Sequence, residues 1–251
     1  MLEFIHLSDP HFHSKFEDNE EVVVKLKYIA KEFPNHKIIV TGDITDDGHK
    51  TQYKQAALSL HSFVGRIFFC PGNHDFGRKG NLYSKNCVRR FNKYLMPLFG
   101  QTQKYGSRPV VNVLKDPDGS RGVMLIGLNS ALRTKNPFDF ACGRIGLWQR
   151  LRLDRILMRK DTIGMRKIIY FHHHPFEYFS FFGQMLDARK LMRLLFAKCE
   201  VVLFGHKHKL GIWTNYNFIN CVLAADDLKH TKVIREISMD RNGAEVREHL
   251  L

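Results

Sequence analysis

The chain has 251 residues, enough for one large domain with a core of its own. Hydrophobic residues make up 44%, yet no window reaches the ~18 apolar residues that a membrane span needs. Lysine and arginine number 39 against 25 aspartates and glutamates, a net charge of +14 that favours anionic partners such as phosphoesters, nucleic acid or an anionic membrane surface. The start, Met1-Leu2-Glu3-Phe4-Ile5-His6, lacks the basic stretch and cleavage site of a signal peptide. Five cysteines (Cys70, Cys87, Cys142, Cys199, Cys221) show no CxxC spacing, which argues against a zinc ribbon or a disulfide framework. They read as reduced thiols of a cytoplasmic protein, peripheral to a membrane if the charge engages one.

In chain order, residues 1–7 are apolar and extended in character and end at Ser8-Asp9-Pro10-His11. Residues 21–33 carry Val22, Leu26, Ile29, Ala30 and Phe33 at helical spacing and stop before Pro34. Lys37-Ile38-Ile39-Val40 reads as a buried strand ending at Thr41-Gly42-Asp43, and residues 51–63 as a second amphipathic helix. Ile67-Phe68-Phe69 is the next strand. Pro71-Gly72 then turns the chain and presents Asn73, His74 and Asp75. Strand, helix, strand, helix, strand argues parallel pairing with right-handed crossovers.

The spacing predicts a basic helix over 81–99 and strands over 109–114 and 122–128, joined by the turn Asp116-Pro117-Asp118-Gly119. A loop over 129–143 and a helix over 145–158 follow; Arg152, Arg155 and Arg159 on that helix read as a solvated basic face. Residues 167–171 form a strand ending in His172-His173-His174-Pro175, and 187–197 a helix. Val201-Val202-Leu203-Phe204 is a strand ending in Gly205-His206-Lys207-His208, and short strands are expected over 218–223 and 233–238. No internal repeat or linker appears, so residues 1–251 read as a single domain.

Five apolar runs thus end in His, Asp or Asn. Parallel strands deliver such ends to one edge of a sheet. Converging imidazoles and carboxylates without cysteine make a mixed nitrogen and oxygen site suited to Fe, Mn or Zn. A carboxylate flanked by histidines on both sides suits a binuclear centre.

These motifs, Asp9-Pro10-His11, Gly42-Asp43, Gly72-Asn73-His74-Asp75, the triple histidine and Gly205-His206-Lys207-His208, stand in the order of the calcineurin-like metallophosphoesterases, which the chain resembles from Ile5 to His208. The resemblance implies an α/β fold, a four-layer sandwich of two mixed sheets flanked by helices, with two divalent metal ions at the strand ends. Carried over by position, Asp9, His11 and His208 would hold one ion. Asn73, His173 and His206 would hold the other, and Asp43 would bridge them. In the family the ligand tends to stand two residues before the proline, which selects His173 over His172 and leaves His174 to touch substrate phosphate beside Asn73 and His74. Two dications make hydroxide available from a bridging water and stabilise charge on the phosphoryl group. His74 would protonate the leaving oxygen with Asp46 as its partner, although turn chemistry alone could explain an aspartate there.

The chain departs from the protein phosphatases of the family, whose GDxxDRG arginine grips a dianionic phosphate; Asp47 stands at that place. Gly42-Asp43-Ile44-Thr45-Asp46-Asp47-Gly48, with Tyr53 following and His173-His174-Pro175-Phe176 later, is instead similar to the cyclic-nucleotide phosphodiesterase branch. A phosphodiesterase is therefore expected. A nuclease, a nucleotide-lipid pyrophosphatase or a phosphomonoesterase on the same metal core are the alternatives, and a metal-free scaffold is disfavoured because every ligand position is filled. The aromatic run Phe176-Glu177-Tyr178-Phe179-Ser180-Phe181-Phe182-Gly183 reads either as core or as a lid over the site.

Overall fold

The computed structural model describes residues 1–97, 100, 102–116, 122–133, 141–162, 164–176, 182–240 and 243–251. The first sheet takes β1 (Leu2–Leu7), β2 (Lys37–Thr41), β3 (Ile67–Cys70), β12 (Val233–Asp240) and β13 (Gly243–Leu250) in the order β13-β12-β1-β2-β3. β1, β2 and β3 are parallel, and β12 and β13 close the other side antiparallel. The second sheet has the order β10-β11-β9-β8-β7-β6, built from β6 (Val110–Leu114), β7 (Val123–Gly127), β8 (Arg166–Tyr170), β9 (Val201–Phe204), β10 (Gly211–Tyr216) and β11 (Ile219–Ala224). Its four central strands are parallel and its two edge strands antiparallel.

Period-two alternation explains how the sheets stack. Leu125, Ile168, Tyr170, Val201, Leu203 and Leu223 join the core that also holds Phe4, Ile5, Ile39 and Phe69 of the first sheet. Their neighbours Met124, Ile126, Ile169, Phe171, Val202 and Phe204 face a second core, with Leu153 and Leu157 of α5 (Leu147–Leu157) and Leu191 and Met192 of α6 (Ala188–Leu194). Val22, Leu26 and Ile29 of α1 (Glu20–Glu32) and Tyr53 and Ala56 of α2 (Lys50–Ser59) belong to the first core. The result is the expected four-layer sandwich, helices outside two mixed sheets. The central strands are apolar throughout because both their faces are buried.

The departures are local. Only Lys85–Tyr94 of the expected 81–99 helix is helical (α4) among the described residues. Leu82–Tyr83 (β5) instead pairs with Gly77–Arg78 (β4) in a small ribbon after the short helix α3 (Asn73–Phe76), and Ser84 donates its N–H to the Phe76 carbonyl at 2.7 Å. The second helix ends at Ser59 and its last turn, His61–Phe63, is 3-10. β10 and β13 are strands the sequence pattern does not announce. The turn at 117–119 and the loop at 134–140 lie outside the described residues, as do 177–181 of the aromatic run. Cys70, Cys87, Cys199 and Cys221 are buried. Among the described residues no helix is long and apolar enough to cross a membrane.

Candidate metal centre

β1, β2 and β3 end at the same edge of the first sheet, and the loops that leave them are laced together. Asp9 and His11 donate their N–H groups to the carbonyls of Gly42 and Asp43 at 3.2 and 3.0 Å. Asp75 ties in the third loop: its buried carboxylate accepts from the N–H groups of Gly72, Ile44 and Thr45 and from the Thr45 hydroxyl, at 2.9–3.1 Å. Burial and the nearby Asp43 carboxylate push Asp75 up to about 7, against the pull of those donors. In the sequence Asp75 is the carboxylate that closes the Gly72-Asn73-His74-Asp75 motif. Its work is to fix the two turns that carry Asp43 and Asn73. Gly72 makes this approach possible, because a Cβ there would overlap the Asp43 side chain.

Asp9, His11, Asp43, His206 and His208 all hold left-handed backbone, with φ between 45° and 76°. Non-glycine residues adopt that region rarely and at a cost of about 1–3 kcal/mol each when strained. Five in one cluster mark a place where side-chain direction outweighs backbone comfort.

The strand ends of the two sheets meet around Asp43. Its Oδ1 accepts the His74 N–H at 2.9 Å, while Oδ2 lies 3.2 Å from His172 Nε2 and 3.9 Å from His11 Nε2. On one side His208 Nε2 and His11 Nε2 stand 3.4 and 3.8 Å from Asp9 Oδ1. On the other, Asn73 Oδ1 and His206 Nδ1 lie 2.9 and 3.0 Å from His172 Nε2. The Asn73 amide is oriented by its Nδ2, which donates to the Gly80 carbonyl at 3.0 Å. Asp9, His11 and His208 form one compact donor group, Asp43, His172 and His206 another, and His11, Asp43 and His74 a third.

The histidine in this cluster is His172, three residues before Pro175, and not His173. Alternation along β8 carries His172 with Ile168 and Tyr170 toward the first sheet, while the His173 ring lies 4.5 Å from that of His206 and 5.0 Å from that of His172. His172 Nδ1 donates to the Thr41 carbonyl at 2.8 Å, which leaves Nε2 for the cluster. His173 Nδ1 meets the Ser130 hydroxyl at 2.8 Å, and burial beside His172 pushes it down to about 3. His174 also departs from expectation. Its ring packs edge-on against Phe204, Trp213 and Phe176 at 4.8, 5.7 and 5.8 Å, within the aromatic core of the second sheet.

The donor set fits divalent ions. Among the described residues, Asp9 Oδ1 and His11 Nε2 are buried without hydrogen-bond partners, and they face one another. Burial pushes His172 down, yet Asp43, Asp9 and the Thr41 carbonyl together hold it up at about 9. The fixed charges of the site therefore call for a cation. Asp43 is held well below the ordinary carboxylate range by His172 and His74 despite its burial. Nitrogen and oxygen donors without thiolate suit Zn, Mn or Fe.

His74 lies beside Asp43, its ring edge-on to His11 at 4.7 Å. Its Nδ1 donates to the Asp46 carbonyl at 2.6 Å, and the Asp46 carboxylate stands 3.8 Å away. Burial lowers His74, but Asp43 and Asp46 outweigh it and raise the imidazole above its ordinary value. Asp46 thus pairs with His74 chiefly through its backbone. Gly80 (φ +68°) rests on both Asn73 and His74, where a Cβ would come within 2.6 Å of Nδ2 and of Nε2. Asp47 Oδ1 accepts the Lys79 N–H at 2.7 Å and so holds this roof in place. Sequence reading missed Ser130 and Asp227, which support His173 and His208 from loops with no motif of their own; Asp227 Oδ2 lies 3.7 Å from His208 Nδ1.

The model of the calcineurin-like phosphoesterase family matches residues 2–210. A probable glycerophosphodiester phosphodiesterase GpdQ of Arcobacter nitrofigilis is 26% identical over 196 residues, 75% of this chain and 62% of that protein. A probable cyclic nucleotide phosphodiesterase of Coxiella burnetii is 25% identical over 185 residues, 68% of this chain and 59% of that one. The chain therefore spans about three fifths of the length of the curated relatives it matches. The crystal structure of a dimetal phosphatase from Danio rerio superposes with a TM-score of 0.66 at 12% identity, covering 99% of this chain and 98% of that one. With its ordered motifs, its sandwich and a family model that spans most of its length, the chain belongs to the calcineurin-like phosphoesterase family.

Proposed function

We propose that this chain is one domain that hydrolyses phosphodiester bonds at a binuclear metal centre. Asp9, His11 and His208 would hold one ion and Asn73, His172 and His206 the other, with Asp43 shared between them. The observation that carries this reading is Asp43 Oδ2, placed between His172 and His11 with a donor group on either side. Two divalent ions bound there would supply a nucleophile from water at neutral pH and neutralise charge on the phosphoryl oxygens.

The chain's own residues do the rest. Asp43 fixes the His74 backbone through Oδ1, so the imidazole moves with the centre and not with the ribbon. The bond from Nδ1 to the Asp46 carbonyl leaves Nε2 to deliver a proton to the leaving oxygen. Asn73, held by Gly80, presents its oxygen toward the centre. His74 and Asn73 are then the substrate-facing pair, and His174 has no part in it.

A diester is the favoured substrate because Asp47 puts a negative charge where the protein phosphatases of the family use arginine. The names of the two curated relatives support the same class, a cyclic nucleotide being one member. The basic surface suits an anionic substrate or an acidic surface nearby. Turnover of bis(p-nitrophenyl) phosphate against p-nitrophenyl phosphate tests this reading. The diester should have the higher kcat/KM, and a clear preference for the monoester would reject it.

A further inference from the structure

A second convergence of metal-binding side chains lies at the opposite ends of the same strands. Asp43 follows the C-terminal end of β2, whereas His36 precedes its first residue, roughly 15–20 Å away along the strand. There His36, Glu3 and Glu236 bring one nitrogen and two oxygens within 4.8 Å of one another. His249 flanks the group, its Nε2 hydrogen-bonded to Glu236 Oε2 at 2.7 Å.

The register explains the convergence. Glu3 pairs with Ser238 and Ile5 with Glu236, so Glu3 and Glu236 share a face of the sheet; Ile234 pairs with His249, which puts His249 on that face too. Three adjacent strands and the α1–β2 loop thus supply two imidazoles and two carboxylates. Phe33, at the end of α1, seats both rings edge-on, at 5.1 Å from His36 and 5.0 Å from His249. Arg247, directly opposite Glu236 in register, turns to Glu245 at 3.2 Å. The Glu236 carboxylate is left between the histidines, and its side chain is 9% exposed.

We infer that Glu3, His36 and Glu236, flanked by His249, bind a divalent transition-metal ion, zinc by donor type and charge, at a mononuclear site separate from the catalytic centre. Zinc with bonds near 2.0–2.1 Å spaces its ligand atoms by about 3.3 Å in a tetrahedron. His36 Nε2 stands 3.1 Å from Glu236 Oε1 and 3.6 Å from Glu3 Oε2, on either side of that spacing. The corresponding separations in the catalytic cluster, 3.2 Å for His172 with Asp43 and 3.4 Å for His208 with Asp9, fall in the same range. The two carboxylates carry a charge of −2, which one dication cancels. His36 Nδ1 is buried without a hydrogen-bond partner among the described residues, so the ring is positioned from its Nε2 end. The ion would clamp β1, β12 and β13 to the end of α1, a structural role that requires no open coordination position.

The test uses the full-length protein dialysed against a fixed free zinc concentration, with zinc per chain measured by mass spectrometry. Wild type should hold one ion beyond the catalytic complement, and Asp43→Asn should keep that ion while losing catalytic metal. His36→Ala should lower zinc affinity at the site at least 100-fold and leave kcat/KM on bis(p-nitrophenyl) phosphate within twofold. Cobalt-loaded Asp43→Asn should show the intense visible bands of a tetrahedral site, absent from Asp43→Asn/His36→Ala. If His36→Ala does not fold, Glu3→Gln, at a half-exposed position, should weaken binding at least tenfold. Equal zinc content in wild type and these variants, or cobalt spectra that do not change, would overturn the site while leaving the catalytic reading intact.

Discussion

His172 Nε2 lies 3.2 Å from Asp43 Oδ2, although the two residues come from different sheets and are 129 positions apart in sequence. This contact closes the sandwich at the edge that carries the donor groups and brings His172, of three consecutive histidines, against Asp43. His172→Ala should therefore lose one of two bound ions and reduce kcat/KM by more than about 100-fold, beyond what loss of a ligand's support usually costs. His173→Ala should keep both ions and lose thermal stability instead. Metal analysis and melting of the two variants side by side check this, and the opposite pattern would restore the proline-counting register.

His74 is anchored through Nδ1 to the Asp46 carbonyl and through its backbone N–H to Asp43 Oδ1. His74→Ala should keep its metal content. Turnover of alkyl diesters should fall by about 10²–10⁴-fold, the usual share of a positioned general acid. Turnover of p-nitrophenyl esters should fall by less, since p-nitrophenolate leaves without a proton. Equal losses on both substrates would assign His74 to positioning.

Asp75 joins the Asp43 and Asn73 turns through four donors, so its removal acts on structure and metal together. Asp75→Asn sets an NH₂ against donors that need an acceptor. A stability loss of about 2–3 kcal/mol is expected, with weaker metal retention. Denaturant melts of the metal-loaded and chelator-treated protein separate the two effects. A variant as stable as wild type in both would show that the turns hold without it.

Asp47 links the loop before α2 to the ribbon turn over His74, and Asp47→Asn keeps that acceptor while removing the charge. If the charge disfavours a dianionic phosphate, Asp47→Asn and, more strongly, Asp47→Arg should shift the ratio of diester to monoester kcat/KM toward the monoester. The shift should be worth about 1–4 kcal/mol at most for a charge pair near 4 Å. A ratio that stays constant in both variants would confine Asp47 to holding the Lys79 turn.

Much of this site is legible along the chain because each ligand follows an apolar run. A strand buried on both faces must be apolar, and the first polar residues after it stand at the sheet edge. The histidine register is not legible, since three identical side chains differ only in which face of β8 they continue. Local pattern also hides β13: as an edge strand it is paired on one side and largely exposed, so Glu245, Arg247, Glu248 and His249 interrupt any apolar alternation. Leu82–Tyr83 is too short to show a period. The Glu3, His36, Glu236 and His249 group carries no signal along the chain, because only strand pairing brings together residues so far apart in sequence.

The central claim is that Asp43 serves two ions at once. The most direct measurement is metal content of Asp43→Asn beside wild type, with kcat/KM on bis(p-nitrophenyl) phosphate from the same preparations. Manganese loading keeps the zinc-type group at His36 out of the count. Wild type should hold two ions at the catalytic edge, and Asp43→Asn should lose both together along with nearly all activity. A variant that loses only one ion, or keeps both with activity unchanged, would contradict a shared bridge.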